Sequence, residues 1–431
     1  VILYGINWQN TRFRFWMLCV TLTTNIFQMK RSGSADLPLH NGHVPMWLAD
    51  RMAKLGLAIV ETIATEFSTS EVISKMSNPF WFQSLGAVMG MDWHSSGITT
   101  SVMGALKKSV NPHSKELGIY ICGGKGKHSL QTPKELLSVG DRTGLNGLEL
   151  GNCSKLTAKV DNTAIQDGFQ LYLHNFIVSN TGEWTVIQQG MNAQSKTARR
   201  YHWHSQDLAS FLIEPHTFIY GQNQGSILNF TDKGATDTKA RTLEIAKENP
   251  DKIIREINHL VMPDHHDVRI KNVNVKRLGA MLWLTHEEQP ADFEELLLLK
   301  GMGPRTLQSL ALVSEVIYGT PTRFDDPARF SFAHGGKDGH PFPVPTKVYD
   351  ETISTLQTAI QKAKIGNSDK LQAIKKLSEI SRDAEKDFIP NANFDALIQK
   401  ERRDSHLYGG RTVFGKAKPP KDLRGGQLEL F

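Results

Sequence analysis

Cysteine is scarce in this chain. Cys19, Cys122 and Cys153 are the only three in 431 residues, and none forms a C-x-x-C pair. That excludes a disulfide framework, a zinc ribbon and a thioredoxin-type redox motif, and it suits a reducing cytoplasm. Long apolar runs are also missing. The nearest, from Phe15 to Phe27, is broken by Thr21, Thr23, Thr24 and Asn25 and has no small-residue cleavage site. It is too short and too polar to span a bilayer or to serve as a secretory signal, so no membrane partner is expected. No internal repeat is present. Charge is nearly balanced, with fifty Lys and Arg against forty-four Asp and Glu, a net +6. Such an excess favours a polyanionic partner only where the cations cluster.

The hydrophobic share of 39% and charged share of 22% describe a globular protein long enough for two or three domains. The chain opens on Val1, whereas Met29 begins the globular-looking "MKRSGSADLPLH". Residues 1–28 read as a non-native upstream extension. From 29 to 245 helical and strand patterns mix. "VPMWLADRMAKLGLAIVETIATEF" from Val44 has helical spacing, and "LGIYICGG" from Leu117 reads as a buried strand. "FQLYLHNFIVSNTGEWTVIQQGM" from Phe169 reads as a β-hairpin reversing at Ser179–Gly182. Residues 246–345 turn helical, 346–388 form a charged helical pair broken at Gly366-Asn367, and 389–431 read as a basic flexible tail. The fold class is α+β: a mixed N-terminal domain with a hairpin, then a mostly helical domain.

Within the helical part, "FEELLLLKGMGPRTLQSLALVSEVIYG" places two helices around Gly301-Met302-Gly303, with Pro304 opening the second. This resembles a helix-hairpin-helix. Glycines let a phosphate approach the backbone, and the first amides of the second helix point at it with the helix dipole behind them. Lys300 and Arg305 add charge and Thr306 a hydroxyl. Such contacts grip DNA without reading its sequence. An ordinary αα-hairpin would need only a turn. The "GGKGKHS" loop sets Lys125 and Lys127 after a strand, where they could hold a nucleic-acid phosphate. It is not a P-loop, which would need Gly at Ile121 and Ser or Thr at His128.

The chain ends in "QLELF". Gln427, Leu428, Leu430 and Phe431 resemble the short peptide by which bacterial replication and repair proteins hold the sliding clamp. Gln427 would hydrogen-bond and the three apolar side chains would fill a groove; the alternative is docking on the protein's own surface.

Chemistry is expected around the hairpin. Asp161, Asp167 and His174 precede or enter its first strand, Gln189 lies on its second, and Arg199 and Arg200 follow. Carboxylates beside a hairpin, followed by an arginine pair, suit a metal-dependent phosphodiesterase, a nuclease. Asp161 and Asp167 would hold Mg²⁺ or Mn²⁺, and the arginines would hold the scissile phosphate. The alternative for these groups is a buried polar network.

Taken with "NPFWFQSLG", "DWHSSG", "VDNTAIQDGFQLYLH", "ARRYHW" and "FAHGGKDGHPFPV", the sequence from about Met29 to Asp387 resembles the domain-of-unknown-function family 763. The resemblance implies a prokaryotic, cytoplasmic protein and carries no activity with it. The sequence as a whole reads as a DNA repair or replication protein, a nuclease or end-processing factor brought to DNA by the clamp. A non-catalytic DNA-structure-binding adaptor and an RNA-processing enzyme are the alternatives. Oligomeric state is not legible.

Overall fold

The computed structural model describes residues 37–38, 44–91, 96–259, 275–328, 346–385, 411–412 and 415–416. All belong to the unit Ala35–Phe431. The proposed upstream extension 1–28, Asp92 and His94, the His265-His266 stretch, the "AHGGKDGHPF" loop and the closing Gln427–Phe431 peptide lie outside the described residues.

After the two-residue strand β1 (Leu37–Pro38) come four helices, α1 (Met46–Glu66), α2 (Thr69–Ser77), α3 (Pro79–Val88) and α4 (Gly97–Val110). The breaks between them are written locally. Ser68 caps α2 by accepting from the Glu71 N–H at 3.0 Å. Asn78 caps α3 through the Phe80 and Trp81 amides, with Pro79 at the first helical position. The short α5 (Ser114–Leu117) ends at Gly118 in a left-handed conformation and releases the chain into strand β2 (Ile119–Lys125). Helices α6 (Thr132–Thr143) and α7 (Gly147–Lys159) follow, then β3 (Ile165–Gln166), the long strands β4 (Gln170–Ser179), β5 (Trp184–Asn192) and β6 (Thr197–His204), and the short β7 (Phe218–Tyr220) and β8 (Ser226–Asn229). The C-terminal half adds α8 (Thr236–Lys247), α9 (Pro250–His259), α10 (Val275–Glu288), α11 (Phe293–Leu298) and α12 (Pro304–Tyr318). Strand β9 (Arg323–Asp325), helices α13 (Thr346–Lys362) and α14 (Asn367–Glu385), and a small β10 (Arg411–Thr412) and β11 (Gly415–Lys416) pair complete the chain. The architecture is α+β, and the expected hairpin is β4–β5, reversing at Asn180–Glu183 with Gly182 at φ +89°. Among the described residues no helix is long and apolar enough to cross a membrane.

The main sheet is antiparallel in the order β1-β6-β5-β4-β2, with β7 on the far side of β6; β3, β8 and β9 form a second, smaller sheet. Alternation along the strands divides the core in two. Ile119, Ile121, Ile177 and Ile187 pack against α1–α4 together with Leu356, Ile360 and Leu377 of the α13–α14 pair. Tyr120, Cys122, Phe176, Val186, Tyr201 and Trp203 face the other way, into a cluster shared with Leu136, Leu282, Leu296, Leu307 and Leu310. One apolar cluster therefore runs across position 245, so the helices after it pack directly beneath the sheet.

Gly123 shows how tightly β2 sits on its neighbour. It has φ +93°, and a Cβ there would stand 2.2 Å from the His174 carbonyl oxygen and 2.7 Å from Thr132 Oγ1. Gly123→Ala combines a conformational penalty with a backbone clash. It is expected to lower unfolding free energy by about 3 kcal/mol, checked by urea denaturation; a loss below about 1 kcal/mol would contradict this packing.

Candidate functional site

The residues singled out for chemistry all lie on or beside β4–β6, and the pleat sorts them. Cross-strand register sets His174 opposite Gln188, and Gln188 opposite Tyr201, on one face of the sheet. There they build a continuous buried chain with two helical-side residues. Ser154 Oγ lies 2.8 Å from His174 Nε2, and His174 Nδ1 lies 2.8 Å from Gln188 Oε1. Gln188 Nε2 donates to Asp161 Oδ2 at 2.6 Å. Because the amide oxygen only accepts, His174 carries its proton on Nδ1 and accepts the Ser154 hydroxyl proton on Nε2. Asp161 sits in a widened π-type turn, Val160–Ala164, after α7. It also accepts from Trp203 Nε1 at 3.0 Å and pairs with His216 Nε2.

This Ser–His–Gln–Asp sequence has the contacts of a nucleophile and its base, but its burial opposes that chemistry. Ser154 is 2% exposed and Asp161 fully buried. Burial lowers the His174 pKa to about 4, leaving it a weak base at neutral pH. Burial also raises the Asp161 carboxyl, with His216 and the donated hydrogen bonds acting the other way. The chain is a satisfied polar network that ties α7 and the 216 loop to the sheet.

Asp167 has its own partners. It accepts from Phe169 N at 3.0 Å, Tyr201 Oη at 2.6 Å and Arg199 Nη1 at 2.8 Å. Arg199 reaches Asp326 at 3.1 Å as well, donates to the Gln222 carbonyl and stacks over Phe169 at 4.5 Å. Burial nevertheless pushes Asp167 up to about 6, against the pull of Arg199. Asp161 and Asp167 are thus held by different donor sets. Among the described residues no group of three or more His, Cys, Asp or Glu is placed to hold a metal.

Arg199 and Arg200 do not act together. They are neighbours on β6, so their side chains leave opposite faces of the sheet. Arg200 enters the helical layer, where it donates to Gln83 Oε1 at 2.9 Å and Thr99 Oγ1 at 3.3 Å. Its guanidinium lies between Phe82, at 4.8 Å, and Tyr220, at 5.4 Å. Among the described residues no carboxylate pairs with it, and burial lowers its pKa to about 10. Gln189, on the same face, donates to the Ser96 carbonyl at 3.0 Å and to Tyr172 Oη. Sequence reading missed His216 and Asp326, each of which completes one of these networks. Nothing in the local sequence around them signalled that role.

The nucleic-acid candidates are placed differently. Lys125, the last residue of β2, and Lys127, just after the strand, are exposed, with Lys125 over the Tyr172 ring at 5.8 Å. The Gly123 amide is already taken by Glu135, at 2.8 Å. In the α11–α12 hairpin Gly301 has φ +94°, and Gly303 is the extended N-cap of α12 with no side-chain cap. Lys300, Gly301, Pro304 and Arg305 are exposed. Thr306 is 4% exposed, so its hydroxyl is withdrawn from the surface because that turn of α12 faces the core. The hairpin is anchored from below. Lys159 Nζ donates to the Met302 carbonyl, and Gln166 Nε2 to the Pro304 carbonyl at 2.7 Å. Gln166 lies four residues before β4, and Lys125 pairs with Leu173 near the start of that strand. Hairpin and glycine loop therefore flank the same end of the sheet.

Residues 33–344 match the family described as "Protein of unknown function (DUF763)". The chain belongs to that family. The DUF763 match takes in the sheet, both buried networks and the hairpin. No curated protein and no solved structure matches the chain.

Two outcomes are expected for the DUF763 network. Asp161→Ala strands three buried donors and should cost about 3–5 kcal/mol of stability, visible as a lowered denaturation midpoint; an unchanged midpoint would refute the structural role. The pH dependence has a sign. Below its ordinary value of 6.5 the unfolded His174 binds a proton that the folded form refuses until about 4, so its contribution is lost as pH falls through that window. Asp167, raised to about 6, acts oppositely between 3.8 and 6. His174→Gln removes only the first effect, so the stability difference between wild type and variant should shift in favour of the variant from pH 7 to pH 4.5, read by urea denaturation at each pH.

Proposed function

We propose that this protein binds the nucleic-acid backbone, DNA in the first instance, without reading sequence. The observation that carries the reading is the hairpin. A fifteen-residue helix with no side-chain N-cap starts from a glycine turn, with Lys300 and Arg305 exposed beside it. Lys159 and Gln166 hold that turn by its carbonyls, which leaves the first amides of α12 as its outward polar groups. Lys125 and Lys127, at the same end of the sheet, extend the cationic surface. A backbone grip of this kind is the common requirement of a repair or replication factor, whatever it does next.

Cleavage with Mg²⁺ or Mn²⁺ is the catalytic extension of the proposal. The carboxylates proposed for it are Asp161 and Asp167, of which Asp161 already accepts from three protein donors. Recruitment by a bacterial sliding clamp through Gln427, Leu428, Leu430 and Phe431, in a prokaryotic cytoplasm, is the second extension. It is tested by whether clamp retention disappears when those four residues are removed.

Labelled single-stranded, duplex, flapped and branched DNA, with RNA of the same sequences, would be titrated by fluorescence anisotropy at several salt concentrations. Gels of the same samples with Mg²⁺ or Mn²⁺ would report cleavage. Combining Lys300→Ala and Arg305→Ala should weaken DNA binding by about tenfold or more and reduce the salt slope by about two, one for each lost phosphate contact. Binding that ignores both salt and these two changes would sink the hairpin reading, and a marked preference for RNA would move the protein to RNA processing.

A further inference from the structure

Strand β2 is one edge of the main sheet, and an exposed edge normally invites another strand. Here it is blocked. Asn111 bonds both the N–H and the carbonyl of Ile121, at 2.9 and 2.8 Å. Glu135 accepts the Gly123 N–H at 2.8 Å, and Lys107 donates to the Gly123 carbonyl at 2.7 Å. The outward backbone groups of Ile121 and Gly123 therefore have side-chain partners, and strand addition at these residues has no free ladder to use.

What the blocked edge leaves is a cleft of about 290 Å³ between α4 and α6, floored by Tyr120, Ile121 and Cys122. That lies at the small end of the range for ligand sites, about 300–1,000 Å³. Its polar groups are unequal. Both Glu135 oxygens already accept from Lys107, at 2.9 and 2.7 Å, and one also accepts from Gly123. Arg142 lines the cleft with its guanidinium over the Tyr120 ring at 5.7 Å. Its Nε donates to the Ser138 carbonyl at 3.0 Å, and among the described residues no carboxylate pairs with its forked end. Ser114 adds a hydroxyl and Asn111 a second amide N–H. Beside them Cys122, whose thiol burial pushes up to about 12, is a neutral wall, and Val139 is apolar.

We propose that this cleft binds a small organic anion, with a carboxylate or phosphate head on the Arg142 fork and a compact apolar body against Tyr120, Cys122 and Val139. The Glu135 carboxylate and the Lys107 ammonium of the cleft are engaged with each other and with Gly123, whereas the Arg142 fork, the second Asn111 N–H and the Ser114 hydroxyl still have donors to offer, so an anion is the complement. A planar guanidinium whose two Nη groups meet no carboxylate among the described residues is suited to a two-oxygen head. This site is independent of the hairpin and its nucleic-acid reading.

Isothermal titration calorimetry on the whole protein would use phenyl phosphate, benzoate, inorganic phosphate and phenol as probes. Phenyl phosphate or benzoate should bind with a Kd of about 1 mM or tighter, the stronger of the two identifying the head group. Inorganic phosphate and phenol should each bind at least about tenfold more weakly, lacking the body and the charge respectively. Arg142 is exposed, so Arg142→Ala should melt like wild type while losing about tenfold or more in affinity. Arg142→Lys should recover only part of it, since an ammonium cannot make the fork. Failure of both organic anions to bind, phenol binding as well as they do, or Arg142→Ala binding them undiminished would each overturn the proposal. Lys300→Ala with Arg305→Ala should leave probe affinity unchanged, which keeps this test separate from that of DNA binding.

Discussion

A carboxylate cannot remain in an apolar core unless donors surround it, and the centre of this molecule is arranged around that constraint. Asp161 is fully buried and is met by Gln188 from β5, Trp203 from β6 and His216 from the loop before β7. Gln188 in turn fixes the tautomer of His174, which receives the Ser154 hydroxyl from α7. Each of these groups would be costly alone and is satisfied only when α7, the sheet and the 216 loop are in register together. The network therefore specifies one arrangement of those elements more sharply than apolar packing of the same area would.

The Arg199 cluster applies the same logic at a second joint. Asp167 and Asp326 come from chain positions 159 residues apart and meet on one guanidinium. Asp326 also accepts from the Gln224 and Ala328 amides, at 2.8 and 2.9 Å, fastening the segment after β9 to the loop before β8. On the opposite face Arg200 meets two aromatic rings and neutral oxygens and, among the described residues, no acid, which is consistent with its lowered pKa. The polar residues most suggestive of catalysis thus largely hold the architecture. The exposed cations include those on the glycine loop and the α11–α12 turn and Arg142 on α6.

Much of the fold was legible locally. The helix from Val44, the strand ending at the Gly123-Gly124 pair, the hairpin around Asn180–Gly182 and the two helices around Gly301–Gly303 all carry period and turn residues that act within a few positions. The site was legible in membership and not in role. Asp161, Asp167, His174, Gln189, Arg199 and Arg200 do stand together around β4–β6, yet their spacing along the chain could not reveal that they are covered. His216 and Asp326 were overlooked because each acts through a partner more than fifty residues away.

By itself, then, the sequence determined the class of fold, the hairpin, the glycine turn of the α11–α12 motif and family membership, because those rest on local propensity, periodicity and short-range motifs. Tertiary structure decided which charges are buried and which are free. It sent Arg199 and Arg200 to opposite faces, withdrew Thr306, gave each aspartate its own donors and closed the β2 edge with Asn111, Glu135 and Lys107. Burial and pairing depend on which distant segments share a neighbourhood, and that is set by the packing of the whole chain.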